Sequence, residues 1–511
     1  MPTAKFKLAN VVPPLVHLGT LKSLPIRVGP FIEHVRANVA GAPQGEIEGI
    51  AFESHGQLLV ATKSEIQRRG SGDQWRSLQT FSPLASGEAV WNNPAVHMFR
   101  ALNPDFDPEN PKIEFDPGVS VGKINALARL QDTLWIGSET GLYQVPAKGG
   151  VAQHHGEYGV NGPLATRVRA LAGDSKGRLW VGTPLGISVR AADGSWTHLR
   201  GKEGLPIEDV TALAIGSDNS IWIGTSSGAI LYRPDAEGRK WFYRAGKRYL
   251  PNDNVRGIAV SPDDKSVLFA TQDGVGKIEF RQTTLLEKAQ TIEKLVNERH
   301  RRLGLVSECS LNNAANPTAH TIGDNDNDGL WTAYHIAAMS LCYGATHDEA
   351  AKKSAQEGMH ALYTLQNASG TPGLVARSVV PFEEGKTKSE QWRPSADGRF
   401  YWKSDTSSDE IDGHYLAFYA YYEHIGQHDS QEKELCIKQV RDVTNYLVDH
   451  NYQLIDWNGK RTRWGFWNPE ALNENPDDYD EIGLNALHIL SFLQVAHYIT
   501  GDDKFHKHYM K

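Results

Sequence analysis

VRALAGDSKGRLWVGTPLGI, residues 168–187, decides how the front of the chain folds. An apolar run meets a polar turn, and a short strand follows that ends in Trp-Val-Gly. The phrase returns as INALARLQDTLWIGSETGLY (124–143), VTALAIGSDNSIWIGTSSGAI (210–230) and VRGIAVSPDDKSVLFATQDGV (255–275), with a weaker copy, GIAFESHGQLLVATKSEI, at 49–66. Aligned on its aromatic residue, it sets Trp135, Trp180, Trp222 and Phe269 at steps of 45, 42 and 47 residues. A repeat of ~40–50 residues carrying several short strands is the pattern of a β-propeller.

The local chemistry agrees with strands. Leu179 and Val181 share one face and Trp180 takes the other, as in a half-buried antiparallel strand. Asp174–Gly177, Gly216–Asn219 and Pro262–Asp264 are tight-turn sequences. Gly137, Gly182 and Gly224, each just after the aromatic, mark close packing or a bulge. The repeated tryptophans read as packing anchors.

The pattern V-x-A-L-x-x-D-x-x-G-x-L-W-x-G-T-x-x-G-hydrophobic, followed most closely by Val168 to Ile187, resembles the two-component-regulator propeller repeats of large bacterial sensor proteins. The resemblance spans about residues 49–280 and implies a propeller fold. It does not imply one activity, because propellers host many. Residues 67–123 hold no clear copy. A degenerate blade or an insertion fits them, so five and six blades both stand.

From about Thr284 the apolar period lengthens to that of a helix, with Leu285, Ile292, Leu295 and Val296 on one stripe. Further helices read at 329–343, 347–366, 410–425, 431–450, 482–500 and from 503. The loops 303–328, 367–408 and 452–481 are long, and long loops in compact domains usually carry function. Helical hairpins joined by elaborate loops resemble the (α/α) toroid of glycoside hydrolases and polysaccharide lyases, over about 284–511. Seven helices are countable where a full toroid has about twelve, so the toroid reads as incomplete. The expected fold is multidomain β + α: a propeller over 1–282 and an α-helical hairpin domain over 283–511.

Bulk properties exclude some partners. The net charge of −8 over 511 residues leaves no basic excess for nucleic acid or an anionic membrane. No apolar run approaches the ~18 residues of a membrane span, and the start, MPTAKFKLANVVPPLVHLGT, does not read as a signal peptide. A cytoplasmic chain and a mature secreted or periplasmic form both fit. Cys309, Cys342 and Cys436 give neither a disulfide framework nor zinc spacing, and read as buried free thiols. Phosphate loops, dinucleotide fingerprints and nucleophile elbows are absent.

Four segments could carry chemistry. In Asp324-Asn-Asp326-Asn-Asp328-Gly329, oxygen ligands alternate before a glycine, as a calcium loop begins, but its twelfth position is His335 rather than Glu. Calcium, a catalytic or binding carboxylate, and a plain helix cap by Asp328 all remain open. No other cofactor is called for.

In Ser404–His414, Ser407 and Glu410 are spaced as a capping box. Glu410 and His414 also stand one turn apart on one helix face, as an acid–base pair would; Asp409 is adjacent in sequence, and Asp412 points elsewhere. Gly413 inside this helix marks a close approach by another backbone.

The loop residues Arg377, Trp392, Arg393, Tyr401, Trp402, Lys403, Arg463, Trp464, Phe466 and Trp467 combine flat apolar faces with planar cationic forks, which suits an acidic sugar; pinning of the loops is the plain alternative. Finally Asp477, Asp478, Asp480 and Glu481 open a helix on which Asn485 and His488 would line the same mouth as His414.

The expected function is a carbohydrate-active enzyme on a possibly acidic polysaccharide or oligosaccharide. For hydrolysis, Glu410 with Asp409 or Asp412 would face Asp326 or Asp328 across the bond. For elimination, His414 or a tyrosine would take the proton while Arg377, Arg393 or Arg463 neutralises the uronate. The rival is a non-catalytic ligand-binding sensor or scaffold that recognises its ligand through the propeller.

Overall fold

The computed structural model describes residues 29–35, 43, 46–53, 55–70, 74–81, 93–106, 113–115, 119–146, 148–246, 249–312, 318–323, 326–384, 391–474 and 481–511. It contains two compact units that divide between Thr284 and Leu285.

The first unit is propeller-like. Five sheets begin with the strands Gly49–Phe52, Ile124–Leu130, Ala170–Gly173, Val210–Ile215 and Val255–Val260, and each runs outward from that strand through three further antiparallel strands. In the last sheet the outermost strand is Gly29–Val35, from the other end of the unit, registered against Gly274–Thr283 with Gly29 opposite Thr283. That pairing joins the unit's beginning to its end. The first strands pack side by side in the order second, third, fourth, fifth and first sheet. Helix α1 (Pro94–Leu102) touches the first strands of both the first and the second sheet.

The stretch without a clear repeat therefore has several fates. Glu65–Arg69 and Trp75–Thr80 complete the first sheet, α1 follows, and Ile113–Phe115 adds to the second sheet parallel to Gly150–Ala152. Residues 82–92, 107–112 and 116–118 lie outside the described residues.

Each invariant of the repeat has a physical cause. A Cβ on Gly137, Gly182 or Gly224 would stand 2.5, 2.6 or 2.7 Å from Cγ1 of Val168, Val210 or Val255, the first valine of the next copy. So the glycine of one sheet exists to admit the valine of its neighbour. The hydroxyl after it closes the following turn: Thr183 donates to Gly186 O at 2.9 Å, and Thr225 and Thr271 donate to Gly228 O and Gly274 O at 2.7 Å.

These bonds also correct the alignment. Thr271 matches Thr225, so Leu268, not Phe269, occupies the tryptophan position. The register agrees, since Trp222 faces Ala214 and Leu268 faces Ala259. Trp135, Trp180 and Trp222 are buried between sheets.

The Asp of the repeat holds its Trp. Asp174 accepts from the Trp180 indole at 2.9 Å, Arg178 Nε at 2.6 Å and the backbone N–H groups of Lys176 and Arg178. We expect Asp174→Ala to lower the unfolding free energy by about 3 kcal/mol, because it strands a buried indole N–H and an arginine. A urea midpoint equal to wild type would remove this role.

The second unit is helical. α2 (Leu285–Arg299), α3 (Asp328–Thr346), α4 (Glu349–Asn367), α5 (Ser408–His424), α6 (Ser430–Asp449), α7 (Pro469–Glu474), α8 (Ile482–Thr500) and α9 (Asp503–Met510) follow in order. The sequence misses only α7 among these. α3 and α5 lie side by side and parallel. Glycines let them meet: a Cβ on Gly413 would reach Leu330 Cδ1 at 2.6 Å and its Cα at 3.1 Å, and one on Gly344 would reach His424 at 2.3 Å. α8 packs on α5, while α4, α6 and α9 pack behind.

The loops are more ordered than the sequence suggests. Val379–Pro381, Phe400–Lys403 and Trp392–Pro394 form a three-stranded sheet, and Gln453–Ile455 pairs with Arg461–Phe466. α8, with mean hydropathy 1.3, is long and apolar enough to cross a membrane by length and composition alone. Against the expectation from sequence, one run of this length is therefore present, at Ile482–Thr500. In the structure Phe492, Leu493, Ala496 and Ile499 of this helix are buried in the core of the helical unit.

Candidate functional site

The two polar stretches singled out at the helical end come together at the α3–α5 seam. Asn327 is the junction. Its Oδ1 accepts from Arg377 Nε at 3.1 Å, Arg377 Nη2 at 2.8 Å and Ser407 Oγ at 3.2 Å, while its Nδ2 donates to Asp409 Oδ2 at 2.9 Å. Arg377 also donates to the carbonyls of Asp326 and Asp405. This buried guanidinium is thus used as a clamp between backbone segments.

The carboxylates divide by access. Asp328, Glu410 and His414 are 0 % exposed. Asp328 Oδ2 accepts from Ser378 Oγ at 2.5 Å. Glu410 Oε2 accepts from Leu330 N at 2.9 Å, in the first turn of α3, and His414 Nε2 lies 3.3 Å from Glu410 Oε1.

Glu410 therefore caps the neighbouring helix, not its own. The capping box read from Ser407 and Glu410 does not form, since the Ser407 side chain makes no cap bond. Burial pushes the Glu410 carboxyl well above its ordinary range, against the Leu330 N–H that opposes the shift. Burial also takes the His414 imidazole down to about 3. Both shifts favour an uncharged pair.

Asp326 is open, with a side chain 77 % exposed, and pairs with Lys403 at 2.7 Å. Asp409 is exposed as well. Asp412 is partly exposed, 3.6 Å from His488. Asp326 Oδ1 is thus engaged by Lys403 and Asp328 Oδ2 by Ser378. Among the described residues no group of three or more His, Cys, Asp or Glu side chains gathers to hold a metal ion. Asp324 lies outside the described residues, as do Asp477, Asp478 and Asp480.

Much of the aromatic set serves packing. Trp392, Trp402 and Trp467 are buried. Trp464 is exposed, and Arg393 lies over the Trp457 ring at 3.9 Å. Arg463 is held through its backbone N–H by Asp405 Oδ1. Asn485 is buried and donates to Phe466 O at 3.0 Å, so it fastens the 461–466 strand and does not line a mouth with His414.

A second constellation sits in the propeller-like unit and went unnoticed in the sequence. The variable residue x of V-x-A-L is Asn125, Arg169, Thr211, Arg256 and, one residue before the weak copy as quoted, Glu48. These five line one cavity of about 230 Å³, with Lys123, Glu139, Arg167 and the start of α1.

Each x residue other than Glu48 reaches toward the next sheet. Asn125 donates to Val168 O at 3.0 Å, Arg169 to Asp209 at 2.5 Å, Thr211 to Val255 O at 2.5 Å and Arg256 to Glu48 at 2.8 Å. The period of the repeat was the available signal, because a position equivalent in every inner strand must face the shared axis.

The fold and this ring define a class first: a propeller-like scaffold with a polar axial cavity, joined to a helical unit. Residues 162–184 match the family described as the two component regulator propeller. Three solved structures are similar at low identity. The extracellular domain of the putative hybrid two component system BT4673 from B. thetaiotaomicron is 13 % identical, with 45 % of this chain and 27 % of that domain covered and a TM-score of 0.28. Virginiamycin B lyase from Staphylococcus aureus is 14 % identical over 50 % of this chain and 74 % of its own, with a TM-score of 0.25. A putative oxidoreductase (glucose dehydrogenase) from Thermus thermophilus is 13 % identical over 50 % of this chain and all of its own, with a TM-score of 0.31. The chain thus spans about a quarter of the extracellular domain it matches. None of the curated proteins matches it.

Proposed function

We propose that this chain is a non-catalytic ligand-recognition protein of the sensor type, whose propeller of five blades binds the ligand in its axial cavity. In this reading the helical unit is part of an (α/α) toroid, with α3, α5 and α8 as inner helices and α4, α6 and α9 behind them. One observation carries the choice. The carboxylates best placed for joint chemistry, Glu410 and Asp328, are sealed from solvent and spent on Leu330 N and Ser378, whereas the axial ring is polar and open. A general acid must reach its substrate. The regulator-propeller repeat supports the same reading.

The carbohydrate-enzyme reading keeps one foothold, the solvent-open Asp326 and Asp409 around Asn327. A single panel separates the two. Neutral and uronic oligosaccharides are titrated by calorimetry while reducing ends and unsaturated products are followed. Binding without product is the expected result. Product formation that Asp409→Asn abolishes would overturn the proposal.

A further inference from the structure

Charge around the axial cavity is matched pair by pair, with one exception. Arg167 Nε meets Glu139 at 2.6 Å, and Arg169 meets Asp209 at 2.5 Å. Arg256 meets Glu48 at 2.8 Å and Glu46 at 3.5 Å, and Glu46 is shared with Lys63. Lys123 lines the same cavity, is exposed, and forms no ion pair or side-chain hydrogen bond among the described residues. The Asn125 amide and the Thr211 hydroxyl are already donating to carbonyls. Arg167 and Arg169 each spend one N–H on their carboxylate, which leaves further donors at the cavity. The surplus is therefore of donors and of one positive charge.

We propose that the cavity takes a small hydroxylated carboxylic acid, such as a sugar acid or the acidic end residue of an oligosaccharide, with its carboxylate on Lys123; this rests on the recognition reading above. The volume, about 230 Å³, is below the ~300–1,000 Å³ of sites for larger organic ligands. It admits one ring-sized group rather than a chain. The carboxylate completes the single unmatched charge and accepts the spare guanidinium N–H groups. The ring also offers acceptors, since Glu48 and Glu139 each retain lone pairs for ligand hydroxyls. A fully apolar ligand would leave these groups desolvated without partners, and a cation would face Lys123 directly.

The test titrates the full chain with galacturonate and glucuronate, with galactose and glucose as neutral counterparts, and with inorganic phosphate. Uronate is expected to bind more tightly than its neutral counterpart and to weaken as salt rises. Lys123→Met should weaken uronate by about tenfold or more, the loss of one hydrogen bond to a charged group. Lys123→Arg should restore it. Lys123 is exposed, so the thermal midpoint of either variant should match wild type, which separates a binding effect from misfolding. Uronate binding that survives Lys123→Met, or equal binding of neutral sugars, overturns the assignment while leaving ligand recognition standing. Phosphate binding as tightly as uronate overturns the hydroxylated-carboxylate assignment. Turnover of a sugar without binding at the axial cavity overturns the recognition reading itself.

Discussion

Replacing Gly329 by alanine should destabilise the helical unit by about 3–5 kcal/mol, at the upper end of what one methyl group does. A Cβ there would lie 1.6 Å from Glu410 Oε1, 2.8 Å from its Cδ and 2.9 Å from Leu365 Cδ1. A flexible surface glutamate would swing away at little cost. Glu410 has no such exit, because it is fully buried and its other oxygen holds Leu330 N. Moving it strands the first turn of α3 and forces a polar group into the core. Against this, alanine gains at most about 1 kcal/mol in helix propensity over glycine. Urea denaturation reads the loss.

Gly329→Ala combined with Glu410→Ala tests the cause. Removing the carboxyl removes the clash, so the double variant should lose less than the sum of the single ones, with a coupling of about 1–3 kcal/mol. Strict additivity would mean that the two residues do not meet.

The same pair marks the limit of what the sequence discloses. The propeller-like unit was legible because every copy repeats its own contacts. The glycine after Trp, the valine opening the next copy and the Thr closing a turn each recur with the period, so one alignment displays them all. The alignment failed by one residue only at Phe269. There the turn between the first two strands has six residues between paired Val260 and Val267, against five between Ile215 and Ile221, and this puts Leu268 at the tryptophan position. α1 was missed because it occurs once and interrupts the period.

In the helical unit the helices and the closeness marked by Gly413 were readable from local pattern. The partner of Glu410 was not. Spacing within one segment pointed to Ser407, whereas the group it satisfies is 80 residues away on α3. Loop tryptophans were equally opaque. Trp392 and Trp464 sit in similar aromatic–basic contexts, yet one is buried and the other exposed, and only tertiary packing decides which.

The second large effect is in the pH dependence of stability, and it follows from proton counting at Glu410 and His414. In the folded chain burial raises the carboxyl and lowers the imidazole to about 3, so between those two values the pair holds one proton, on the carboxyl. Unfolded, the two groups return to about 4.5 and 6.5. Between those values the unfolded pair is carboxylate and imidazolium and also holds one proton, so this pair adds no slope. Above 6.5 the unfolded pair holds none, and stability falls as pH rises until the folded carboxyl ionises. Below 4.5 the unfolded pair holds two, and stability falls as pH drops. Each limb has a slope of about 1.4 kcal/mol per pH unit.

Glu410→Gln copies the protonated carboxyl and cannot ionise. Relative to wild type it should therefore gain stability as pH rises from 5 toward 8. His414→Gln should instead flatten the acid limb. Urea midpoints at pH 5, 6.5 and 8 decide it. Parallel curves for wild type and Glu410→Gln would mean that Glu410 is ionised inside the fold. A buried carboxylate facing a neutral imidazole would then have to be explained by its donors, and its removal from catalysis on grounds of burial would lose its force.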